Sequence, residues 1–574
     1  MLLSPLKVHI EEKTIKGHRY LYAVRSGRVD GKPRRLEQIY LGKLEDLVAA
    51  KQRECVPASI RTRRFGAVAS LWALSEELGI REEIDRHCSL PGPGASIGTY
   101  LALAAINRSV DVRSKRGFAD WYEHTSLARL AGVPSQALTS QDFWTAMDRF
   151  PVEKAAQPIL TGLVKKVLPE VGRPQMIAFD ATNFFTFIAS DNSRPKLPQR
   201  GHNKAKRHDL RQVGWALAAA ADCQLPLFSH VYAGNQVDVV TFKEAWPKLL
   251  QVLHELNLQE ATLVFDKGNV SKENLKLADQ SKFSYVTSLA PHFFPDLLAE
   301  PLSRFSAPTE DEDGEHLKGL LLQRVERKIW GRQRVVVQSW SPNLAQGQEA
   351  GVLQHLGKAE RKLRDLQASL KRRQQAAYRG PKPTQEAIEK TVRSILRAQH
   401  LSLLLKVTIS EEGGQLQLSY TLNESHLEHL KEHLFGRRIW VTDHRDWSAE
   451  QIVRAGHQQS DCENCFRDLH GEDPVAWTPM WHWTDQKIRV HAFYMVLSLL
   501  LTRLLLFRAR KAGDERGLKA IIADLHSIDE CLLVYPAAGP HGQGRPRLVS
   551  MLSDRSPQQQ QLLQISGADK LAPP

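Results

Sequence analysis

Two short apolar segments of the sequence each end on an aspartate, and this repeated arrangement constrains the fold more than any other feature. Residues 176–179 lead into Asp180, and residues 261–265 lead into Asp266, 86 positions later. A short apolar run bounded by polar residues predicts a buried strand, so each aspartate is expected at or near the exposed end of a strand. An Asx-type turn that only ends a strand is the alternative for either aspartate taken alone.

A third acidic residue, Glu463, lies in a segment that is predicted to be helical. Two carboxylates from strands and one from a helix suit divalent metal ions that bridge a phosphate, because such ions need acidic oxygens from separate elements. Phe466 lies on roughly the same helix face as Glu463 and is expected to anchor that face to the core. Ser460 and Glu463 also fit a capping box, in which Glu463 would only stabilise a helix start.

The charge balance favours a polyanionic partner. The 574 residues include 78 Lys and Arg against 64 Asp and Glu, which gives a net charge of +14. This favours nucleic acid first and an anionic membrane surface second. Six cysteines do not make a disulfide framework, and no signal-peptide pattern is present, so we expect a reduced, cytoplasmic, nucleoid-associated protein. The most apolar window, residues 490–506, contains Arg503 and predicts a buried core helix rather than a membrane span.

Changes in periodicity along the chain predict an α/β protein with six segments. Three strands, a helix near residues 237–256 and two further strands follow one another in an order that suits an RNase H-like mixed sheet. The segments are 1–50, a small β-unit; 60–170, a helical module, either DNA-binding or scaffold; 174–290, the first part of the core; 291–447, a mixed helix and strand insertion; 448–534, the helical second part of the core; and 535–574, a tail.

The insertion is predicted to contain two charged helices, near residues 358–371 and 384–399, followed by a hairpin formed by 401–409 and 415–422. An apolar stripe at helical spacing in the first helix indicates that one face is covered. The two helices therefore form either a coiled coil or a solvated arm, and the sequence slightly favours the arm.

Several stretches resemble the DDE transposases of bacterial insertion sequences, in particular the branch with a long insertion between the second aspartate and the glutamate. The resemblance implies an RNase H-like core in which Asp180, Asp266 and Glu463 bind two Mg²⁺ or Mn²⁺ ions and cleave and join DNA. It also implies terminal inverted repeats and target DNA as partners, and a homodimer on DNA. The matching stretches are 28–33, 40–43, 179–185, 234–235 with Asp238, 265–269 with Asn274, 462–469, 483–484, 488–489 and His491.

The sequence departs from this family around the glutamate. The family's helix has the pattern Tyr-x2-Arg-x3-Glu-x6-Lys, which grips DNA-end phosphates, whereas this chain has Gly456, Gln459 and His470 at the three auxiliary positions. Gln459 and His470 are kept as candidate DNA contacts, the histidine when it is protonated. A catalytically impaired, transposase-derived DNA-binding protein is therefore the alternative function, and an RNase H-like nuclease that needs no end sequence is a third.

The same segment has the spacing of a zinc site. His457, Cys462, Cys465 and His470 form the pattern H-x4-C-x2-C-x4-H. Zinc ligands usually lie on knuckles and turns, whereas these cysteines are expected one helical turn apart. Buried cysteines that pack as small apolar residues are the more common explanation of such a pair.

A basic loop close to the first aspartate is the best local candidate for DNA contact. Phosphate neutralisation by such a loop would make the affinity for DNA fall steeply with salt. A solvated basic loop is the alternative, as it is for the basic hairpin at residues 25–35. Residues 544–547 are a weaker candidate for a minor-groove arm. The predicted phosphate contacts in the loop are Lys196, Arg200, Lys204, Lys206, Arg207 and Arg211.

Overall fold

A computed structural model describes residues 8–29, 31–88, 94–189, 191–203, 205–308, 317–375, 378–413, 415–471, 475–537 and 545–573 of the chain. The strands are β1 (Val8–Ile15), β2 (His18–Val29), β3 (Lys32–Lys43), β4 (Ser59–Arg64), β5 (Met176–Thr186), β6 (Arg211–Ala220), β7 (Pro226–Ala233), β8 (Thr262–Phe265), β9 (Tyr285–Leu289), β10 (Leu321–Ile329), β11 (Arg332–Trp340), β12 (Leu405–Glu412), β13 (Gln415–Leu422), β14 (Arg437–Thr442), β15 (Asp529–Tyr535) and β16 (Arg547–Leu552). The helices are α1 (Leu44–Cys55), α2 (Gly66–Leu78), α3 (Ile80–Arg86), α4 (Ile97–Val110), α5 (Phe118–Glu123), α6 (Leu127–Leu130), α7 (Ser140–Arg149), α8 (Val152–Val171), α9 (Asp238–Glu255), α10 (Lys272–Gln280), α11 (Pro295–Leu298), α12 (Pro342–Arg373), α13 (Gln385–Ile395), α14 (Leu401–Leu404), α15 (Glu424–His433), α16 (Ala449–His457), α17 (Gln459–His470), α18 (Asp485–Lys511), α19 (Leu518–His526) and α20 (Pro557–Ser566).

The chain divides into two compact units, one made of residues 1–167 and 468–574 and the other of residues 168–467. The predicted β-unit, nearly all of the predicted helical module and the predicted tail lie in the first unit. The predicted first part of the core and the predicted insertion lie in the second unit. The segment 448–534 is shared between the two units, because the boundary falls between Arg467 and Asp468.

The first unit contains helices and two three-stranded sheets, with the strand orders β1-β2-β3 and β16-β15-β4. Its helix α18 is long and apolar enough to span a membrane, yet 94% of its most apolar window is buried inside the protein. This confirms the predicted core helix. Arg503 is accommodated in it because the guanidinium donates a hydrogen bond to the carboxylate of Asp468 at 2.6 Å. Thr139 caps α7, since its hydroxyl accepts a hydrogen bond from the Asp142 backbone N–H.

The second unit contains an eight-stranded mixed sheet with the order β10-β11-β14-β9-β8-β5-β6-β7. Strand β5 pairs antiparallel with β6 and parallel with β8, and β8 pairs parallel with β9. The five strands predicted within residues 174–290 and the helix between them are confirmed as β5 to β9 and α9. The predicted strand end at Asp180 was wrong, because β5 continues through Asp180 to Thr186 along β6. The protein is therefore of the mixed α/β class.

The two faces of this sheet are covered by different helices. On one face, Phe179 of β5 and Phe265 of β8 pack against Phe242 of α9, with ring centroids 5.6 and 4.8 Å apart. On the other face, Val264 packs with α16 residues, and Trp215 of β6 contacts Phe466 of α17. Successive side chains of a strand point to opposite faces, so the residue that follows each phenylalanine points away from α9.

Three strands from the predicted insertion extend the sheet, and the sequence analysis did not predict them. These strands, β10, β11 and β14, pair antiparallel with one another and with β9. The remaining part of the insertion has its own apolar core, built by α12, α13, β12 and β13. The prediction of a strand from residue 401 was wrong for its first four residues, which form α14. A short apolar run does not distinguish a strand from a buried helical turn.

Candidate functional site

The two predicted aspartates lie side by side on the sheet. Phe179 and Phe265 are partners in the parallel β5–β8 pair, so Asp180 and Asp266 occupy the next position on neighbouring strands. Neighbouring strands are about 4.8 Å apart. Both aspartates are half-buried, and both follow a phenylalanine that faces α9. They therefore face the side of the sheet that α16 and α17 cover.

The row of residues continues on both sides of the aspartates. Asp180 pairs with Leu217 on β6, and Ser288 on β9 pairs with Trp440 on β14. The hydroxyl of Ser288 donates a hydrogen bond to a carboxylate oxygen of Asp266 at 3.3 Å. This hydrogen bond limits the rotation of the Asp266 carboxylate. Neither Ser288 nor Trp440 was identified from the sequence, because no motif surrounds them.

Helix α17 is docked next to Asp180 by the two residues that flank Glu463 on its buried face. The thiol of Cys462 lies 3.6 Å from the carbonyl oxygen of Leu217, the β-sheet partner of Asp180. The Phe466 ring is 4% exposed and lies 6.2 Å from the Trp215 ring, which confirms its predicted role as an anchor. Glu463 itself is exposed. The chain thus brings the third predicted carboxylate to the same face as the two aspartates.

The capping-box interpretation of Glu463 is wrong. Helix α17 begins at Gln459, so Ser460 already lies inside the helix and cannot be its N-cap residue. Glu463 falls in the second turn of α17, beyond the position from which a capping-box side chain accepts a hydrogen bond from the N-cap backbone N–H.

Asp266 and Glu463 line one cleft of about 1140 Å³ between the sheet and the start of α12. Asp180 adjoins Asp266 on the next strand. Among the described residues, no three His, Cys, Asp or Glu side chains are grouped closely enough to hold a metal ion as they stand. Two exposed cations that the sequence analysis did not single out, Lys267 and Arg438, also line the cleft. Lys267 lies inside a stretch that resembles the transposases, which is the only sequence signal for either residue.

The glycine at the family's tyrosine position has a structural reason in this chain. A Cβ atom at Gly456 would lie 2.3 Å from the indole ring of Trp440, so the tryptophan fills the space beside α16. The Trp440 side chain is 4% exposed, and its indole N–H donates a hydrogen bond to the Ser339 hydroxyl at 3.2 Å. A side chain larger than that of glycine at this position would therefore clash with Trp440.

We expect Gly456→Ala to destabilise the protein, because the added methyl group must displace the Trp440 ring. Such overpacking costs about 1–3 kcal/mol. Urea unfolding followed by circular dichroism measures the loss. The control is Gly357→Ala in α12, where nothing lies within 4 Å of the added atom. There the higher helix propensity of alanine should stabilise the protein by up to about 1 kcal/mol. Equal effects of the two substitutions would contradict the packing argument.

The other two auxiliary positions differ in their surroundings. Gln459 is only 9% exposed and lines the cleft, where its amide is available to a ligand but bears no charge. His470 is the last residue of α17 and is exposed.

The zinc interpretation is not favoured by the geometry. Cys462 and Cys465 lie one helical turn apart, are fully buried and direct their sulfurs at the backbone carbonyls of Leu217 and Gln224, each at 3.6 Å. Burial raises the pKa of the Cys462 thiol well above its usual range, and the nearby Cys465 and Asp180 add to the shift. Both residues pack α17 onto the sheet as small buried side chains.

The basic loop lies between β5 and β6. Lys196, Arg200 and Lys206 are exposed, and Lys204 lies outside the described residues. The guanidinium of Arg207 forms a two-pronged ion pair with Asp209 at 2.8 and 2.7 Å. This pair lowers the pKa of Asp209 to about 2. Arg211 is partly buried and donates a hydrogen bond to the Asn192 carbonyl at 2.7 Å. The charges of the loop are therefore not equally available to a phosphate.

The loop is held close to the two motifs that follow it. Buried Gln212 donates hydrogen bonds to the carbonyls of His202 and Gly234, at 3.0 and 2.7 Å. A Cβ atom on Gly268, in the turn after Asp266, would lie 3.1 Å from a carboxylate oxygen of Asp238. The segment 234–238 thus lies between the loop and the turn after the second aspartate.

Of the comparisons with known proteins, only the one with solved structures finds a similarity. No family model matches the sequence, and no curated protein matches it. Among solved structures, the chain is similar to a piggyBac transposase in a synaptic complex with hairpin DNA, determined by cryo-electron microscopy. The identity is 8%, the TM-score is 0.38, and the similarity covers 82% of each chain. A TM-score of 0.38 does not establish a shared fold, although the aligned region is long.

Proposed function

We propose that the protein is a transposase with an RNase H-like core that cleaves and joins DNA at the ends of an insertion sequence. The observation that supports this best is the parallel β5–β8 pair, which aligns Asp180 with Asp266 on the face where α17 presents Glu463. The succession of β5, β6, β7, α9, β8 and β9 is the one expected for an RNase H-like sheet. The cleft lined by Asp266 and Glu463 gives a DNA phosphate access to this face.

The chemistry of the three side chains fits Mg²⁺ or Mn²⁺. All three offer carboxylate oxygens, which these hard cations prefer, and they come from three separate elements. Two such ions, when bound, supply activation of a water or 3′-hydroxyl and stabilisation of the leaving 3′-oxygen. Asp180, Asp266 and Glu463 would hold them. Ser288 fixes the carboxylate of Asp266, and Cys462 and Phe466 fix the helix of Glu463.

The proposed partners are the terminal inverted repeats of the element and its target DNA, bound by a homodimer in the cytoplasm, at the nucleoid. The exposed cations of the basic loop, Lys196, Arg200 and Lys206, support contact with DNA phosphates. Gln459, inside the cleft, is placed to donate to a phosphate or a base. No covalent bond between protein and DNA is needed for either reaction.

We expect a labelled DNA fragment that includes the sequences flanking the gene to be cut at the element's ends in the presence of Mg²⁺. EDTA should abolish cleavage, and added Mg²⁺ or Mn²⁺ should restore it, because carboxylates do not by themselves activate water for attack on a phosphate. Gel electrophoresis of the labelled products measures both effects. Cleavage that persists in EDTA would contradict the metal-dependent mechanism.

The alternative is a transposase-derived protein that binds DNA without cutting it. One observation favours it: two positions that contact DNA phosphates in the family have changed. Gln459 stands at the arginine position and carries no charge. Gly456 stands at the tyrosine position and packs against Trp440. Specific binding to the ends without cleavage by the wild-type protein would support this alternative. Cleavage of fragments that lack the ends would instead support a nuclease.

A further inference from the structure

The insertion contains a strongly basic segment, residues 357–400, which we call the basic arm. It contains twelve Lys and Arg residues against four Asp and Glu residues, a net charge of +8. The whole chain has a net charge of +14, so fewer than one tenth of the residues account for more than half of the excess. Its two helices are the second half of α12 and α13.

The charges of the arm are displayed on its outside. Leu356, Leu363 and Leu370 of α12 are buried together with Ile388 and Val392 of α13 in a local core. On the other side of α12, the exposed charged residues include Lys358, Arg361, Lys362 and Arg364, together with one acid, Asp365. In the described part of the arm, no Lys or Arg forms an ion pair. Like charges at positions i and i+4, as in Lys358 and Lys362, repel each other and destabilise a free helix.

Helix α12 connects the arm directly to the cleft. Its first turns supply Leu344, Gln348 and His355 to the wall of the cleft that Asp266 and Glu463 also line. The helix has 32 residues and is therefore about 48 Å long. The seven basic residues between 358 and 373 follow the cleft-lining turns on the same helix and span about 22 Å. A duplex with a phosphate in the cleft therefore has two groups of basic residues beside it, 358–364 and 371–373, with exposed Asp365 between them.

We propose that the basic arm binds the phosphate backbone of duplex DNA next to the reacting phosphate, without reading its sequence. The inference rests on the proposed function, which places DNA in the cleft. Lysine and arginine on one helix face neutralise phosphates and release counterions, which makes binding strong, independent of sequence and dependent on salt. An anionic membrane is a poorer fit, because the apolar face of α12 is buried in the arm's core and is not available to lipid.

The test compares two triple variants of the full-length protein with the same change in charge. The first, Lys358→Gln/Arg361→Gln/Lys362→Gln, removes three charges from the arm. The control, Lys272→Gln/Lys276→Gln/Lys282→Gln, removes three exposed charges in and just after α10. Fluorescence anisotropy measures binding to a labelled 30-base-pair duplex of arbitrary sequence at several salt concentrations. The charge-conserving variant Lys358→Arg/Arg361→Lys/Lys362→Arg checks that charge, and not packing, is responsible.

We expect the arm variant to lower the slope of log affinity against log salt by about 2–3, since each phosphate contact contributes about 0.9. The affinity should fall at least tenfold for all duplexes, whereas the control and the charge-conserving variant should bind like the wild type. Equal slopes for the arm variant and the control would overturn the inference. So would unchanged DNA binding together with lost binding to phosphatidylserine vesicles. A wild-type protein that binds no duplex at all would instead refute the proposed function itself.

Discussion

Replacement of Asp180 by Asn should reduce DNA cleavage by at least about 10³-fold and leave binding to the ends unchanged. Asparagine keeps the size of the side chain but removes the negative charge, and the metal ions that the carboxylates would hold contribute several kcal/mol to catalysis. A factor of 10³ corresponds to about 4 kcal/mol of transition-state stabilisation. Because Asp266 lies beside Asp180 on the next strand, Asp266→Asn should have an effect of the same size. Single-turnover cleavage assays and gel-shift assays on the same DNA measure the two quantities.

The control for these variants is Asp222→Asn, which makes the same chemical change at an exposed position in the turn between β6 and β7. It should cleave at the wild-type rate. The double variant Asp180→Asn/Asp266→Asn should be no slower than either single variant, since residues that act together on one metal site do not have additive effects. Cleavage by Asp180→Asn at the wild-type rate would refute the assignment of the site.

Removal of Asp279 should have the largest effect on stability. Its carboxylate forms an ion pair with Arg334 at 2.5 Å, and the Arg334 side chain is only 2% exposed. The hydroxyl of Tyr285 donates to Asp279 at 3.1 Å and accepts from Arg334 at 2.7 Å, so the three groups satisfy one another. Asp279→Ala leaves the buried guanidinium without its counter-ion, which costs about 3–5 kcal/mol. Urea unfolding of the purified protein measures this loss.

A surface pair of the same chemistry provides the control. Asp209 pairs with Arg207 in the exposed basic loop, where water and salt screen the charges, so Asp209→Ala should change the stability very little. The conservative variant Asp279→Asn keeps hydrogen-bonding oxygen and shape, and should lose less stability than Asp279→Ala. If Asp279→Ala and Asp209→Ala lowered the free energy of unfolding by the same small amount, burial would not be the reason that the Asp279–Arg334 pair stabilises the protein.

The elements around the site could be predicted from the sequence because each depends on local pattern. The strand before Asp266 is a short apolar run that ends at a polar residue, and α9 has a clear apolar face. The same pattern gave the start of β5, but the prediction that Asp180 lies at a strand end was wrong, because β5 continues through it to Thr186 by pairing with β6. Phe466 was predicted to anchor α17 from its spacing to Glu463 alone. The relation between the two aspartates was not predicted in detail, because strand register is set by contacts between segments that are far apart in the sequence.

Other features could not be predicted because they depend on tertiary contacts. Strands β10 and β11 show only a weak alternation of apolar and charged residues. They also lie in a segment that consists mostly of helical sequence patterns, so they were not recognised as strands. Gly456 was interpreted as the loss of a functional tyrosine, whereas the structure shows that Trp440, from β14, occupies the space beside it. No local pattern connects residues 440 and 456, so this contact is visible only in three dimensions.

The buried cysteines on α17 offer a way to measure how often the site opens. A thiol reacts with alkylating reagents as the thiolate, and Cys462 is fully buried with a raised pKa while its sulfur lies against the backbone beside Asp180. It becomes reactive only when α17 leaves the sheet, and Glu463 then leaves the aspartates with it. The alkylation rate of Cys462 therefore reports how often the three carboxylates separate, and DNA that assembles the site should slow it.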